Sequence, residues 1–248
     1  MPTPVALSIA GSDPSGGAGI QADLKTFHQF GVFGQAAVTL ITVQNSTGVE
    51  HVEILDAQLV ERQILAVIED IRPHAAKTGA LGSAAIVQTL ARLAAGFDFP
   101  LVVDPVRSSK HGAQLSPDIS PLIPRAFLIT PNLDEAAAHD LDSMRAAARR
   151  FADLGAKNVL VKGGHLPGDA VDLLLTENGA FHEFRAPRIP TPHTHGTGCA
   201  LSAAIAAELA KQTPLVEAVR RAKAFVTEAI RTNPGLGAGS GPLNFFAR

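Results

Sequence analysis

Short apolar runs alternate with amphipathic helical patterns along the chain. Most of the runs are continuously apolar, as expected for strands of a parallel sheet whose two faces are both covered by helices. We predict six such strands, at residues 5–10, 38–43, 75–78, 101–103, 126–129 and 159–161. The alternation predicts an α/β fold with right-handed crossovers between the strands.

Helix boundaries, one hairpin and a tail can also be predicted. Asp56 precedes apolar residues at helical spacing, and Pro73 follows the end of that pattern, which predicts a helix between them. Further helical stripes occupy the last third of the chain. Asn178 and Gly179 separate two short apolar runs, which is typical of an antiparallel hairpin. The Gly- and Pro-rich stretch 233–242 is predicted to be a loop or a loosely packed tail.

The composition argues against several classes of protein. The 248 residues carry 21 Lys and Arg against 23 Asp and Glu, a net charge of −2, which argues against binding nucleic acid by neutralising phosphates. The chain has no Trp or Tyr to stack on single-stranded bases. A single cysteine, Cys199, excludes an internal disulfide. Because no targeting pattern or long apolar run is visible, we expect one cytoplasmic domain over residues 1–248 with no membrane partner.

Polar residues collect where the predicted strands end. The first strand leads into the glycine-rich segment 11–19, and the second ends at Gln44. Later strands end at Asp104, just before Asn132, and at Lys162. In open parallel sheets ligands bind outside the carboxyl ends of the strands, and those ends share one edge. The sequence therefore predicts a ligand crevice at this edge.

Asp23 lies within the apolar stripe of the helix that follows the glycine-rich segment. At about 100° per residue from Ile20, Leu24 lies at about 40°, Phe27 at about 340° and Asp23 at about 300°. Burying an unpaired carboxylate is costly, so Asp23 needs a partner. That partner is a ligand or, as the alternative, a protein group in a buried cap or a structural ion pair.

The glycine-rich segment fits no standard phosphate motif. Gly11 and Gly16 have the spacing of a P-loop, but Gly17 and Ala18 stand where Lys and Ser or Thr are required. The segment also departs from G-x-G-x-x-G, and no acidic residue ends the second strand to bind a ribose. A tight strand-to-helix turn therefore remains the alternative to a ligand-binding loop.

The sequence HGTGC, from His195 to Cys199, stands directly before a predicted helix. The amides of residues 196–199 would point into the crevice at the positive end of that helix, where they suit a transferred phosphoryl group. The same position is expected to lower the pKa of the Cys199 thiol, so that its thiolate can act as a base. The alternatives are a small core residue or, together with His193 and His195, a zinc ligand.

Four further side chains follow the middle strands. Asp104, Asn132 and Glu135 carry hard oxygen atoms that can meet a nucleotide-bound Mg²⁺ directly or through water. Lys162, beside two glycines, can reach phosphate oxygens. Each also has a structural interpretation: a strand-end cap for Asp104, a partner of the helix dipole for Glu135, and a solvated side chain for Lys162.

These segments resemble the hydroxymethylpyrimidine and phosphomethylpyrimidine kinases of thiamine biosynthesis, within the ribokinase-like superfamily. The resemblance covers essentially the whole chain. Its carriers are AGSDPSGGAGIQADLK at 10–25, VQN at 43–45, KTG at 77–79, VDPV at 103–106, TPN at 130–132, KGGH at 162–165 and THGTGC at 194–199. It implies a three-layer α/β/α fold with a mostly parallel central sheet and a small antiparallel hairpin, ATP and Mg²⁺ as cofactors, and a homodimer.

The resemblance also implies a reaction and a role for each site residue. The enzyme would use ATP to phosphorylate 4-amino-5-hydroxymethyl-2-methylpyrimidine and then its monophosphate. Cys199 would take the hydroxyl proton, and the transferring group would be stabilised by the amides of Gly196, Thr197, Gly198 and Cys199. The pyrimidine would be bound by Gly11, Ala18, Gly19, Asp23, Gln44, Ala80 and Val106. ATP would be bound by Asn132, Lys162, Thr194 and His195, and Mg²⁺ by Asp104 and Glu135.

Three residues depart from the family's pattern. Ala80 and Arg107 stand where Met is usual, and His193 stands where Asn is usual. These departures bear on substrate breadth more than on reaction type. A pyridoxal or pyridoxine kinase is the nearest alternative, because the same scaffold phosphorylates a hydroxymethyl group on another aromatic heterocycle. A nucleotide- or flavin-binding module without kinase activity is the second alternative.

Overall fold

The computed structural model of the protein describes residues 3–106, 115, 117–164, 166 and 168–248. The described residues form one nine-stranded sheet. Its strands are β1 (Val5–Ser12), β2 (Phe33–Gln44), β3 (Val49–Ile54), β4 (Ala75–Thr78), β5 (Leu101–Val103), β6 (Leu128–Ile129), β7 (Asn158–Gly163), β8 (Ala170–Leu175) and β9 (Phe181–Ala186). They lie in the order β3-β2-β1-β4-β5-β6-β7-β8-β9. The pairs from β2 to β7 are parallel, and β3, β8 and β9 pair antiparallel with their neighbours.

Helices cover both faces of this sheet. They are α1 (Gly19–Gln29), α2 (Ala57–Asp70), α3 (Ala84–Ala94), α4 (Leu133–Ala136), α5 (Leu141–Asp153), α6 (Thr197–Ala210) and α7 (Leu215–Arg231), with a 3₁₀ helix at Ser120–Arg125. Side chains of α2, α3 and α5 pack on one face with Leu7 and Ile9, and those of α1, α6 and α7 pack on the other with Ala6. Since neighbouring residues of a strand face opposite layers, both must be apolar. The predicted three-layer α/β/α fold is confirmed.

Two strand predictions agree with the structure residue for residue, and others needed correction. The strands at 75–78 and 101–103 are β4 and β5. The prediction at 126–129 is too long, because the Ala126 amide bonds to Ile123 and closes the 3₁₀ helix, leaving two residues for β6. Strand β3 was not predicted at all. None of its side chains is fully buried, so it lacks the apolar run on which strand prediction depends.

The predicted helix start and hairpin are confirmed. Asp56 accepts hydrogen bonds from the amides of Gln58 and Leu59 at the start of α2. Strands β8 and β9 pair antiparallel around Asn178 and Gly179. Gly179 has φ +82°, a left-handed conformation that glycine adopts without strain. None of the described helices is both long and apolar enough to cross a lipid bilayer.

The C-terminal segment after α7 is a loop, as predicted, but the expectation of loose packing is wrong. The Gly239 and Ser240 amides donate to the side chain and the carbonyl of Ser46. The Gly241 amide donates to Nδ1 of His193 at 3.1 Å. A Cβ atom on Gly239 would overlap the Ser46 carbonyl, so a larger residue does not fit there. The segment is therefore fixed against the turn between β2 and β3.

A buried ion pair joins α1 to β4. Nζ of Lys77 lies 3.1 and 3.0 Å from the two carboxylate oxygens of Asp23, and the Ser8 hydroxyl donates to Asp23 at 2.6 Å. All three residues are fully buried. Burial disfavours the charged lysine, yet the neighbouring Asp23 carboxylate holds the pKa of Lys77 above its ordinary value. The structural ion pair, which the sequence left open as an alternative for Asp23, is therefore present.

Replacing Lys77 by Met should lower the free energy of unfolding by about 3–5 kcal/mol, because it leaves the Asp23 carboxylate buried without its partner. Urea denaturation followed by circular dichroism measures the change. Arg72→Ala is the matched control, since it removes an ion pair with Asp98 whose side chains are both exposed, and should barely move the midpoint. Equal midpoints for the two variants would show that the buried pair does not stabilise the fold.

Candidate active site

The glycine-rich segment and the start of α6 pack backbone against backbone. A Cβ atom on Gly196 would overlap the Gly17 carbonyl, and a Cβ atom on Gly17 would lie 2.5 Å from Cδ2 of His195. Gly196 also has φ +82°. Only glycines allow this approach. The two motifs singled out in the sequence therefore form one site at the carboxyl edge of the sheet.

Asp13 organises the glycine-rich segment, and sequence reasoning missed it. Its Oδ1 accepts hydrogen bonds from the amide and hydroxyl of Ser15, and its Oδ2 accepts from the Ala18 amide at 2.8 Å. Burial opposes its charge, but the hydrogen bonds from His195 and Ser15 hold the pKa of Asp13 below its ordinary value. An Asp two residues before a Ser is a common turn pattern, which was the available signal.

His195 connects this segment to the end of β2. Its Nε2 lies 2.8 Å from Oδ2 of Asp13 and 3.2 Å from Nε2 of Gln44. The residue is 7% exposed. The sequence assigned His195 to ATP, but this nitrogen is already engaged on the side of the residues expected to bind the pyrimidine. The assignment of His195 to ATP stays a prediction.

Asp23 does not face the crevice. It is fully buried, and its carboxylate accepts from Lys77 and Ser8 as described above. The expected direct contact between Asp23 and the pyrimidine is therefore corrected. Its charge acts through Lys77. A Cβ atom on Gly79, the residue between β4 and the expected contact residue Ala80, would lie 3.4 Å from the Lys77 ammonium.

Helix α6 begins at Thr197 with no side chain among the described residues capping its first amides. Cys199 lies in this first turn and is half-buried. The pKa of its thiol is raised to about 11 as a net result: burial raises it most, the charge of Lys77 lowers it, and the carboxylates of Asp23 and Asp104 raise it. The predicted lowering of this pKa is therefore wrong. Burial and two nearby carboxylates outweigh the lysine and the hydrogen bond that Cys199 receives from the Gly19 amide.

A second ion pair lies beside the start of α6. Nζ of Lys162 is 2.7 Å from Oδ1 of Asp104, which also accepts from the Thr130 hydroxyl at 3.0 Å. A Cβ atom on Gly198 would lie 3.5 Å from Nζ of Lys162 and 3.7 Å from Oδ2 of Asp104. Burial opposes the charge of Lys162, but Asp104 and then Glu135 hold its pKa above the ordinary value. The solvated lysine is thus wrong, because the Lys162 side chain is 13% exposed and paired.

Asn132 and Glu135 form a capping box at the start of α4. The Asn132 side chain accepts from the Glu135 amide at 2.9 Å, and the Glu135 carboxylate accepts from the Asn132 amide at 2.8 Å. Both residues therefore have a structural role in the first helical turn.

Among the described residues no three His, Cys, Asp or Glu side chains are grouped to hold a metal ion, so zinc bound by His193, His195 and Cys199 is wrong.

The other expected contact residues lie around the same edge. Gly19 has φ +57°, and a Cβ atom there would overlap the Gly11 carbonyl. Ala18 precedes α1, and its amide is held by Asp13. Four further residues are also partly exposed: Gln44 at the end of β2, Ala80 after β4, Val106 after β5 and Thr194 before α6. Arg107 lies outside the described residues.

Comparison with known proteins places this site in a family. A family model described as phosphomethylpyrimidine kinase matches residues 13–244. The chain is 47% identical to the hydroxymethylpyrimidine/phosphomethylpyrimidine kinase of Streptomyces coelicolor, over 97% of this chain and 94% of that protein. The match confirms the resemblance stated from the motifs.

Solved structures agree in fold over nearly the whole chain. The phosphomethylpyrimidine kinase of Clostridium difficile is 42% identical with a TM-score of 0.79, over 91% of this chain and 99% of that chain. The pyridoxal kinase of Bacillus subtilis in complex with ADP is 37% identical with a TM-score of 0.90, over 99% and 98%. These relatives are kinases, which removes support for a binding module without catalysis. The chain belongs to the phosphomethylpyrimidine kinase family.

Proposed function

We propose that the protein is a single-domain kinase that transfers the γ-phosphoryl group of ATP to the hydroxymethyl oxygen of 4-amino-5-hydroxymethyl-2-methylpyrimidine, and then to the resulting monophosphate. One observation carries the proposal. The first turn of α6, which carries Cys199 and has no side-chain cap at Gly196, lies between the glycine-rich segment on one side and Lys162 with Asp104 on the other. Such a position suits a phosphoryl group passing between two ligands. The family match and the relatives' names support the same reaction.

The pyrimidine occupies the side of the site formed by the ends of β1 and β2. Gln44 offers an amide to the polar edge of the ring, where a ring nitrogen accepts and the adjacent amino group donates. The backbone of Gly11, Ala18 and Gly19 approaches the ring closely because these residues carry small or no side chains. Ala80 and Val106 provide apolar contacts with its faces.

Transfer depends on position and on charge stabilisation. The amides of Gly196, Thr197, Gly198 and Cys199 stabilise the negative charge on the transferring group at the start of α6. Lys162 adds a positive charge beside Gly198. Asn132, Lys162 and Thr194 hold ATP on this side. The O–P bond to the substrate forms as the bond from the γ-phosphorus to the β-phosphate oxygen breaks.

Cys199, in its thiolate form, accepts the proton of the substrate hydroxyl. With a pKa of about 11, only about one thiol in ten thousand is ionised at pH 7. The charge of Lys77 and the hydrogen bond from the Gly19 amide both favour the thiolate. Because the transition state of phosphoryl transfer is loose, the hydroxyl keeps its proton until late, and a small thiolate population suffices.

The residues of this site fit a Mg²⁺ ion that binds mainly through the phosphates of ATP. Asp104 and Glu135 already accept hydrogen bonds from the protein, and no third ligand is grouped with them among the described residues. Mg²⁺ keeps several waters and commonly binds through substrate phosphates and one or two carboxylates. Asp104 and Glu135 would hold those waters. The ion would neutralise charge on the phosphate oxygens.

The proposal includes a homodimer, as the family resemblance implies, and a place in the cytoplasm, as expected from the sequence pattern. Ile41 and Val43 are large apolar residues exposed two positions apart on β2, so they lie on the same face of the sheet. They offer a surface that a second copy can cover.

A pyridoxal kinase stays the second candidate, because the pyridoxal kinase of Bacillus subtilis has a TM-score of 0.90 against this chain.

The two candidate functions can be separated by measuring ADP release with the pyrimidine, its monophosphate and pyridoxal side by side. We expect turnover of the pyrimidine and of its monophosphate, and a lower kcat/KM for pyridoxal. A hundredfold higher kcat/KM for pyridoxal, equal to about 2.7 kcal/mol of transition-state preference, would reverse the assignment.

Replacing Cys199 by Ala should lower kcat by about 10²–10⁴-fold, the usual contribution of a general base. The fold should be retained, because the side chain is small and half-buried. Steady-state kinetics with the pyrimidine, accompanied by thermal unfolding of both proteins, measures this. An unchanged kcat in a folded variant would remove the cysteine from the mechanism.

The high pKa of Cys199 predicts slow alkylation of the ligand-free protein at neutral pH. Burial stabilises the neutral thiol, so the reactive thiolate should increase about tenfold per pH unit above pH 7 and reach half of its maximum near pH 11. Mass spectrometry of iodoacetamide-treated protein between pH 7 and 10 measures the rate of this single cysteine. A plateau below pH 8.5 would contradict the raised pKa.

A further inference from the structure

His195 makes two contacts with a single ring nitrogen. Its Nε2 lies 2.8 Å from Oδ2 of Asp13 and 3.2 Å from Nε2 of Gln44. A carboxylate only accepts hydrogen bonds, whereas an amide NH₂ group only donates them. One ring nitrogen cannot accept from Gln44 and donate to Asp13 at the same time. The protonation of this nitrogen therefore decides how the Gln44 amide is oriented.

Asp13 determines that protonation. Its Oδ2 already accepts from the Ala18 amide, and its Oδ1 accepts twice from Ser15, so it is a carboxylate in a set of donors. The carboxylate is 3% exposed, and a bare ring nitrogen facing it at 2.8 Å would set lone pair against lone pair. Nε2 of His195 must therefore carry a hydrogen atom and donate it to Asp13.

The hydrogen atom on Nε2 then fixes Gln44. The NH₂ group of Gln44, 3.2 Å from the Nε2–H donor of His195, makes no hydrogen bond with it. A half-turn of the amide about the Cγ–Cδ bond exchanges the NH₂ group for Oε1, which has nearly the same size and shape. In that orientation Nε2–H of His195 is shared between Asp13 and Oε1 of Gln44. The NH₂ group of Gln44 then points away from His195.

We propose that His195, held by Asp13, is a positioning residue that fixes the Gln44 amide with its NH₂ group directed at a ring nitrogen of the substrate. This inference rests on the proposed function. It specifies the substrate class as a heterocycle with an unprotonated ring nitrogen at the Gln44 edge. An amino group next to that nitrogen can donate to the second lone pair of Oε1. Substrates without an acceptor there lose a hydrogen bond and leave the amide unpaired.

The surroundings of His195 restrict its movement. The ring packs against Gly17, where a Cβ atom would lie 2.5 Å from Cδ2, and the backbone amide donates to the Gly241 carbonyl at 3.1 Å. His193, two residues earlier, bonds the same tail through Nδ1. The hydrogen bonds of His193 within the described part of the chain go to Thr191 and Gly241 rather than to Gln44, so His193→Ala is a matched control for loss of a tail-bound histidine.

A double-mutant cycle tests whether His195 acts through Gln44. In His195→Ala the KM for the pyrimidine should rise about tenfold, the effect of one lost orienting hydrogen bond, while kcat and the KM for ATP change less than about threefold. The same substitution in a Gln44→Ala background should have no further effect on the pyrimidine KM. His195→Gln, whose amide can replace the Nε2–H donor, should restore much of the loss, and His193→Ala should behave as the wild type.

Two kinetic results would overturn the proposal: a higher KM for ATP with an unchanged pyrimidine KM, or a full His195→Ala effect in the Gln44→Ala background. Nitrogen-15 NMR of histidine-labelled protein gives a readout that does not need turnover. A proton on Nε2 of His195 supports the proposal, and a proton on Nδ1 alone overturns it. Absence of any pyrimidine phosphorylation by the wild type would refute the proposed function, and the NMR result would still decide the tautomer and the Gln44 orientation.

Discussion

The site depends on two buried ion pairs, each of a lysine with an aspartate, at one edge of a parallel sheet. The two pairs, both near Cys199, are Lys77 with Asp23 and Lys162 with Asp104. In each pair the carboxylate holds the pKa of the lysine above its ordinary value. Unpaired, each of these groups would be costly to bury; paired, they sum to no net charge. The protein thereby surrounds a thiol and a helix start with fixed charges in a region with little water, where they act strongly on a phosphoryl group.

Much of this fold follows from patterns local in sequence, and much of the site does not. Continuous apolar runs predicted β4 and β5, and helical geometry alone placed Asp23 on the buried side of α1. The partner of Asp23 is Lys77, 54 residues further along the chain, inside a strand that reads simply as AAKT. No periodicity connects them, since pairing arises only when α1 packs over β4.

The pKa of Cys199 shows the same limit. A helix start and flanking glycines are local features and favour a low pKa, whereas the two carboxylates that raise it lie in α1 and directly after β5. His195 is similar: its two partners are 151 and 182 residues distant. Motifs located the residues of the site, but which side of it each residue serves follows from tertiary contacts.

The glycine-rich C-terminal segment has a consequence for the order in which the protein is made. Its residues 239–241 hold the β2–β3 turn at Ser46 and bond the backbone of His195 before α6, so part of the wall beside Gln44 is synthesised after all nine strands. On the ribosome, early strands can pair while the heterocycle pocket still lacks that wall. A nascent chain would therefore acquire its sheet before the pocket beside Gln44 is complete.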